Sequence, residues 1–151
     1  MKTTFSFVVV AILILGSFYF FLQKPAPVKY QDLTLIQIGE VEIQVRLAKT
    51  DVEHRQGLSN TKSLADGEGM LFIYERPAKQ GFWMKDMNYS IDIVWINERN
   101  RVIGVEKDIS PSTFPLVFSS PSEVKYVLEV PAGFSNRSNI EIGQILNFRH
   151  R

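Results

Sequence analysis

The most regular stretch of the chain is Val41-Glu42-Ile43-Gln44-Val45-Arg46-Leu47, apolar and polar by turns. A period of two puts Val41, Ile43, Val45 and Leu47 on one face of a strand and Glu42, Gln44 and Arg46 on the other. Leu33 to Ile38 precedes it, across Gly39-Glu40. A two-residue loop with glycine first predicts a hairpin with a type II′ turn. Further β-prone runs follow. Gly69 to Tyr74 reads as a buried strand. Phe82 to Lys85 and Ile91 to Asn97 read as strands joined across Asp86–Ser90, with Ile91, Ile93 and Trp95 on one face and Asp92, Val94 and Ile96 on the other. Arg101 to Lys107 returns after the turn Glu98-Arg99-Asn100. Glu123 to Val130 alternates again: Tyr126, Leu128 and Val130 face one way, Lys125, Val127 and Glu129 the other. Ile140 to Phe148 closes the domain, with Gly143 as a bulge or tight bend.

Two segments break the β pattern. Thr50-Asp51-Val52-Glu53 has the spacing of a capping box, and Gly57 supplies a left-handed stop. A helix of about two turns does not persist alone. Val52 and Leu58 are expected to hold it by packing. Asp108 to Ser122 carries Pro111, Pro115 and Pro121 with Phe114 and Phe118 between them. So long a loop is expected to cover or bind something. The sum predicts an α+β, mostly β fold: a compact, antiparallel, barrel-like β domain over residues 32–151, with one short helix at Asp51–Gln56.

Before residue 32 the pattern changes character. Phe5 to Leu22 is 18 residues without a charge. As a helix it would span about 27 Å, close to a bilayer core. It ends in Phe18-Tyr19-Phe20-Phe21-Leu22 rather than in small residues. That favours an uncleaved signal-anchor over the rival reading, a cleaved secretory signal. The layout is then a tail at 1–4, a transmembrane span at 5–22 and a proline-stiffened linker at 23–31. Lys2 and the free amine favour an inside N-terminus. The expected location is the cytoplasmic (inner) membrane, single-pass, with the C-terminal domain outside, periplasmic or extracellular.

Charge and composition narrow the function. Lys and Arg number 17 against 16 Asp and Glu, a net charge of +1. Such a chain has no field for nucleic acid. There is no cysteine, which removes disulfides, thiolate metal sites and a cysteine nucleophile. The chain has no P-loop, no dinucleotide fingerprint and no nucleophile elbow. Nothing calls for a cofactor or a metal. The two histidines are His54, expected as a solvated surface residue, and His150 in a basic tail.

The candidate chemistry is a polar cluster. Lys85, Asp92 and Glu129 each interrupt an apolar, β-forming run, and Arg55 on the short helix is a possible fourth member. A charge buried alone costs several kcal/mol. These groups are therefore expected to pair with one another, or to floor a small-ligand pocket lidded by the loop of Phe114 and Phe118. Asp92 and Glu129 could also form an acid pair of the glycosidase kind.

The ordered signatures Arg55-x-Gly57-Leu58, Gly69-Met70-Leu71-Phe72, Trp83-Met84-Lys85, Ile91-Asp92, Val127-Leu128-Glu129, Gly133 and Gly143 resemble the family called domain of unknown function 192. The resemblance covers nearly all of Leu33 to Phe148. The chain departs from the family pattern at Ser59, Thr61, Asp86-Met87 and Ser90. The resemblance implies a compact, strongly β, α+β domain, often exported or membrane-tethered. It supplies no catalytic residues. The functional expectation is a membrane-tethered binding or accessory module without catalysis, serving a small ligand or a membrane-protein partner. The alternatives are a hydrolase using Asp92 and Glu129, and a structural domain packed on a membrane protein.

Overall fold

Strands β1 (Leu33–Ile38) and β2 (Val41–Ala48) form the expected hairpin, with Ile38 opposite Val41. Gly39 takes the positive φ that a type II′ turn needs at its first position, +59°. The alternation of β2 holds: Ile43, Val45 and Leu47 are buried, while Glu42 and Gln44 are exposed. The computed structural model describes residues 33–149. The expected span at 5–22 and the linker at 23–31 lie outside them. Among the described residues no helix is long and apolar enough to cross a membrane.

The remaining strands are β3 (Glu68–Ala78), β4 (Gly81–Trp83), β5 (Ile91–Ile96), β6 (Val102–Ile109), β7 (Val117–Ser119), β8 (Val124–Pro131) and β9 (Leu146–Arg149). Seven of the nine strands among the described residues make one sheet in the order β6-β5-β8-β3-β2-β1-β9; β4 and β7 form a separate ribbon. The expected antiparallel barrel is corrected in two ways. First, β2 and β3 are parallel neighbours. Parallel neighbours cannot be joined by a hairpin. The helix α1 (Asp51–Gln56) and the loop after it are the crossover that returns the chain to the same end of the sheet. Second, the sheet does not close. Its edges meet at a single bridge, Arg101 with Ile145, supported by Val102 N–H donating to the Gln144 carbonyl at 2.9 Å.

Three local expectations also change. β4 pairs with β7, not with β5, so the proline-rich loop contains a strand. Only β9 survives of the run from Ile140, and Gly143 sits in a tight bend at φ +100°. A second short helix, α2 (Phe134–Arg137), follows β8.

The sheet buries both faces, as a sheet with covered faces must. One core gathers Ile36, Ile43, Val45, Leu71, Val94 and Leu128, and Phe134 of α2 packs into it. The other gathers Met70, Phe72, Ile91, Ile93, Trp95 and Val127, covered by Leu58, Leu64 and Met84 from the connecting segments.

Asp92 lies on the first of these faces and is fully buried. Its partners are backbone amides rather than a cation. Oδ1 accepts the N–H of Asp108 at 2.9 Å and of Gly133 at 3.0 Å, and Oδ2 accepts that of Ser135 at 2.9 Å. Asp108 and Gly133 both have positive φ, +53° and +75°. Those turns aim their N–H groups back at β5, so one carboxylate ties the end of β6 and the start of α2 to the central sheet. Asp92→Ala is expected to lower stability by at least about 3 kcal/mol, because it strands three buried donors that had a charged acceptor. Denaturant melts measure this; a loss under about 1 kcal/mol would refute the role.

Candidate functional site

The second face carries a cover built from two pieces. The first is α1 with the segment after it. The capping box is present in full: Thr50 Oγ1 accepts the Glu53 N–H, and the Glu53 carboxylate accepts the Thr50 N–H at 2.8 Å. The Lys49 amide on the same carboxylate is the main reason Glu53 is held below its ordinary pKa. Val52 is exposed, contrary to expectation. Leu58 is buried as expected, and His54 supplies the rest of the anchorage. Its ring lies 4.6 Å from that of Tyr74, and its Nε2 is 3.0 Å from the Ala48 carbonyl. A carbonyl only accepts, so Nε2 carries a proton. His54 is therefore a half-buried wall residue, not a solvated one. Gly57 ends the helix at φ +48°, ψ −136°, a conformation open to glycine but not the left-handed helical stop expected.

The second piece is the β4–β7 ribbon and the turn after β4. Phe82 pairs with Phe118, and Ser120 pins the ribbon's base by accepting the Gln80 N–H at 3.0 Å. A seam joins the two pieces. Asn60 N–H donates to the Asp86 carbonyl at 2.8 Å, Ser59 Oγ to the Lys85 carbonyl at 2.9 Å, and Asn88 Nδ2 to the Thr61 carbonyl at 2.8 Å. Thr61 Oγ1 and the Tyr89 hydroxyl lie 2.6 Å apart.

Between α1, β3 and the ribbon is a cavity of about 360 Å³. Its walls include the rings of His54, Phe72, Tyr74, Phe82 and Trp83 beside polar groups such as Arg55 and Gln80, and Glu129 of β8 is among its lining. Glu129 is 6% exposed. Its Oε2 has no hydrogen-bond partner among the described residues. Trp95 Nε1 and Ser135 Oγ are orphaned too, but neither lines the cavity. Burial pushes the Glu129 carboxyl up from 4.5 to about 8. Burial, and secondarily the charge of Glu129, push the Tyr74 hydroxyl well above its ordinary range. Burial likewise raises Tyr89, which feels Arg46, Glu129 and Glu68 together. The arrangement is a semi-enclosed aromatic chamber with one bare, buried acid. It can hold a small ligand by shape and by a single strong polar contact.

Of the four residues of the expected cluster, Arg55 and Glu129 line the same cavity, whereas Asp92 and Lys85 are not part of its lining. Glu129 pairs across the sheet with Ile93 and Met70, whereas Asp92 pairs with Val130. Cross-strand partners share a face, so the two acids lie on opposite faces and form no catalytic pair. Arg55 is exposed at the cavity wall. Lys85 is exposed, with Nζ 5.9 Å from the centre of the Trp83 ring. Phe114 is exposed and meets Trp83 at 5.7 Å between ring centres; Phe118 is half-buried in the second core. Neither Phe114 nor Phe118 is among the residues that line the cavity, so the loop is not its lid; it supports the wall through its contacts with Trp83 and Phe82. The sequence reading missed His54, Tyr74, Phe82 and Trp83 as wall residues. The available signal was a run of aromatics close to the charged interruptions, but strand pairing was needed to read it.

The family model for DUF192, described as uncharacterized ACR, matches residues 34–148. No curated protein matches the chain. Two crystal structures share the fold. One is a candidate transcription regulator from Sinorhizobium meliloti 1021, 24% identical, with a TM-score of 0.76 over 82% of this chain and 98% of that one. The other is a protein of unknown function from Novosphingobium aromaticivorans DSM 12444, 25% identical, with a TM-score of 0.76 over 83% of this chain and 94% of that one. At such identity the first shows the fold alone. The family match spans both faces of the sheet, the seam and Glu129, and the chain belongs to the DUF192 family.

Proposed function

We propose that this domain is a ligand-binding module whose site is the Glu129 cavity, and that the apolar segment Phe5–Leu22 holds it at the outer side of a membrane. The observation that carries the binding reading is the bare Oε2 of Glu129 in a chamber of ligand size. A buried acid without a partner costs stability, and such groups are kept where they have a task. The tether rests on the sequence, through the length of the uncharged run. The hydrolytic alternative loses its geometry once Asp92 and Glu129 occupy opposite faces. The partner-protein alternative draws on Trp83, Phe114, Leu116 and Val117, which are exposed along the ribbon. The transcription role attached to the Sinorhizobium protein is not carried over, because 17 basic against 16 acidic residues leaves no net basic field.

Three outcomes are expected. Fragment screening of the membrane-extracted protein by ligand-observed NMR should give small aromatic or polar hits that Trp83→Ala weakens at least tenfold; a screen without hits would remove the binding reading. Mass spectrometry of the same protein should find the N-terminus intact, and a mature chain starting near Pro27 would reject the anchor.

The third concerns stability. Glu129 holds its proton up to about pH 8 when folded and to 4.5 in the unfolded chain. Between those values the folded state binds more protons, so stability falls as pH rises, by about 1.4 kcal/mol per pH unit at most. The loss is absent below 4.5 and complete above about 8. Glu129→Gln should flatten this slope and exceed the wild type at pH 8.5 by several kcal/mol, roughly. Denaturant melts at pH 5 and 8.5 check it; parallel curves for the two proteins would contradict the buried, unpaired acid.

A further inference from the structure

We propose that the Glu129 cavity takes an organic ammonium group, with the carboxylate as its counter-charge and the aromatic side chains around it as a cage. This rests on the cavity being a binding site and names the chemical class of its ligand. Once ionised, the carboxylate can only accept, so its buried Oε2, without a partner among the described residues, is then completed by a donor or a cation. Among the described residues no donor reaches Oε2, and burial is what raises the pKa of the acid. The walls favour positive charge as well. Phe72, Tyr74, Phe82 and Trp83 line the chamber, and Phe72 and Phe82 meet edge to face at 4.8 Å. The faces of such rings are negative and attract ammonium groups. An anion would meet the charge of the ionised carboxylate. Arg55, at the exposed side, then suits a negative group at the far end of the same ligand.

The acid's own proton makes the binding pH-dependent. The cavity that holds Glu129 is also lined by His54 and Arg55 from α1 and Tyr74 from β3, and Tyr89, in the turn after β4, feels the charges of Glu129, Arg46 from β2 and Glu68 from β3. An ammonium ion selects the ionised carboxylate, so binding at pH 7 expels a proton. Affinity rises with pH, by up to about tenfold per unit below pH 8, and levels off above.

The test compares choline with its uncharged isostere 3,3-dimethylbutan-1-ol, and n-butylammonium with n-butanol, on the full chain in detergent by calorimetry. The expected result is binding of at least one cation, at least about tenfold tighter than its alcohol. Affinity should rise at least fivefold from pH 6.5 to 7.5. Measured heats should depend on the buffer's ionisation enthalpy, which reports proton release and needs no variant. Glu129→Gln should weaken the cation at least about tenfold while its thermal unfolding stays cooperative. If the alcohols bind as well as the cations, or if fragments bind the cavity and neither cation does, the ammonium class is overturned and the binding reading stands. If neither cations, alcohols nor fragments bind, both fall.

Discussion

The pairing of β8 with its two neighbours is the constraint on which the rest of the domain depends. β8 lies between β5 and β3, with Glu129 opposite Ile93 on one side and Met70 on the other. Side chains alternate along a strand, so a slip of one residue would turn every group of β8 to the other face. Leu128 and Val130 would leave the first core, and Glu129 would enter it. Burial on both faces therefore penalises any slip heavily. Gly69 contributes to this fit: a Cβ there would lie 2.8 Å from the Glu129 carbonyl oxygen, so β3 approaches β8 more closely than any side chain would permit.

From that register follow two acids with different tasks. Both interrupt apolar strands and both are buried, and their chemistry separates them. Asp92 meets three backbone donors and is satisfied. It substitutes for the secondary-structure partners that the end of β6 and the start of α2 lack. Glu129 meets no donor at Oε2 and opens on a chamber instead. A satisfied buried carboxylate stabilises the fold; an unsatisfied one burdens it, which is why the second acid marks the site.

The chamber owes its existence to the cover. Neither α1 nor the three-residue strands of the ribbon would stand alone. They are held by the capping box, by His54 against Tyr74, by Ser120 at the ribbon's base and by the seam between residues 59–61 and 85–89. Ser59, Thr61 and Asp86 all lie along that seam. Asp86 adopts φ +56°, in the left-handed region that Asp and Asn tolerate better than most residues.

Local order was legible in the sequence because its physics is local. The period of two in β2, β5 and β8 assigned the faces of Val45, Asp92 and Glu129 correctly. The spacing from Thr50 to Glu53 placed the capping box, and glycine at position 39 placed the turn. Each depends on atoms a few residues apart. Which strands distant in sequence become neighbours was not legible, since such pairing is chosen by burial of the whole sheet. For that reason the parallel pair β2–β3, the β4–β7 ribbon and the open sheet emerged only from the tertiary structure. The same limit applies to the chemistry. The sequence singled out Asp92 and Glu129 as costly charges, and their strand faces were readable one strand at a time. Only the β5–β8 register sets the two acids apart. The partners each acid meets across space decide that Asp92 is a tie in the fold and Glu129 the polar floor of a chamber.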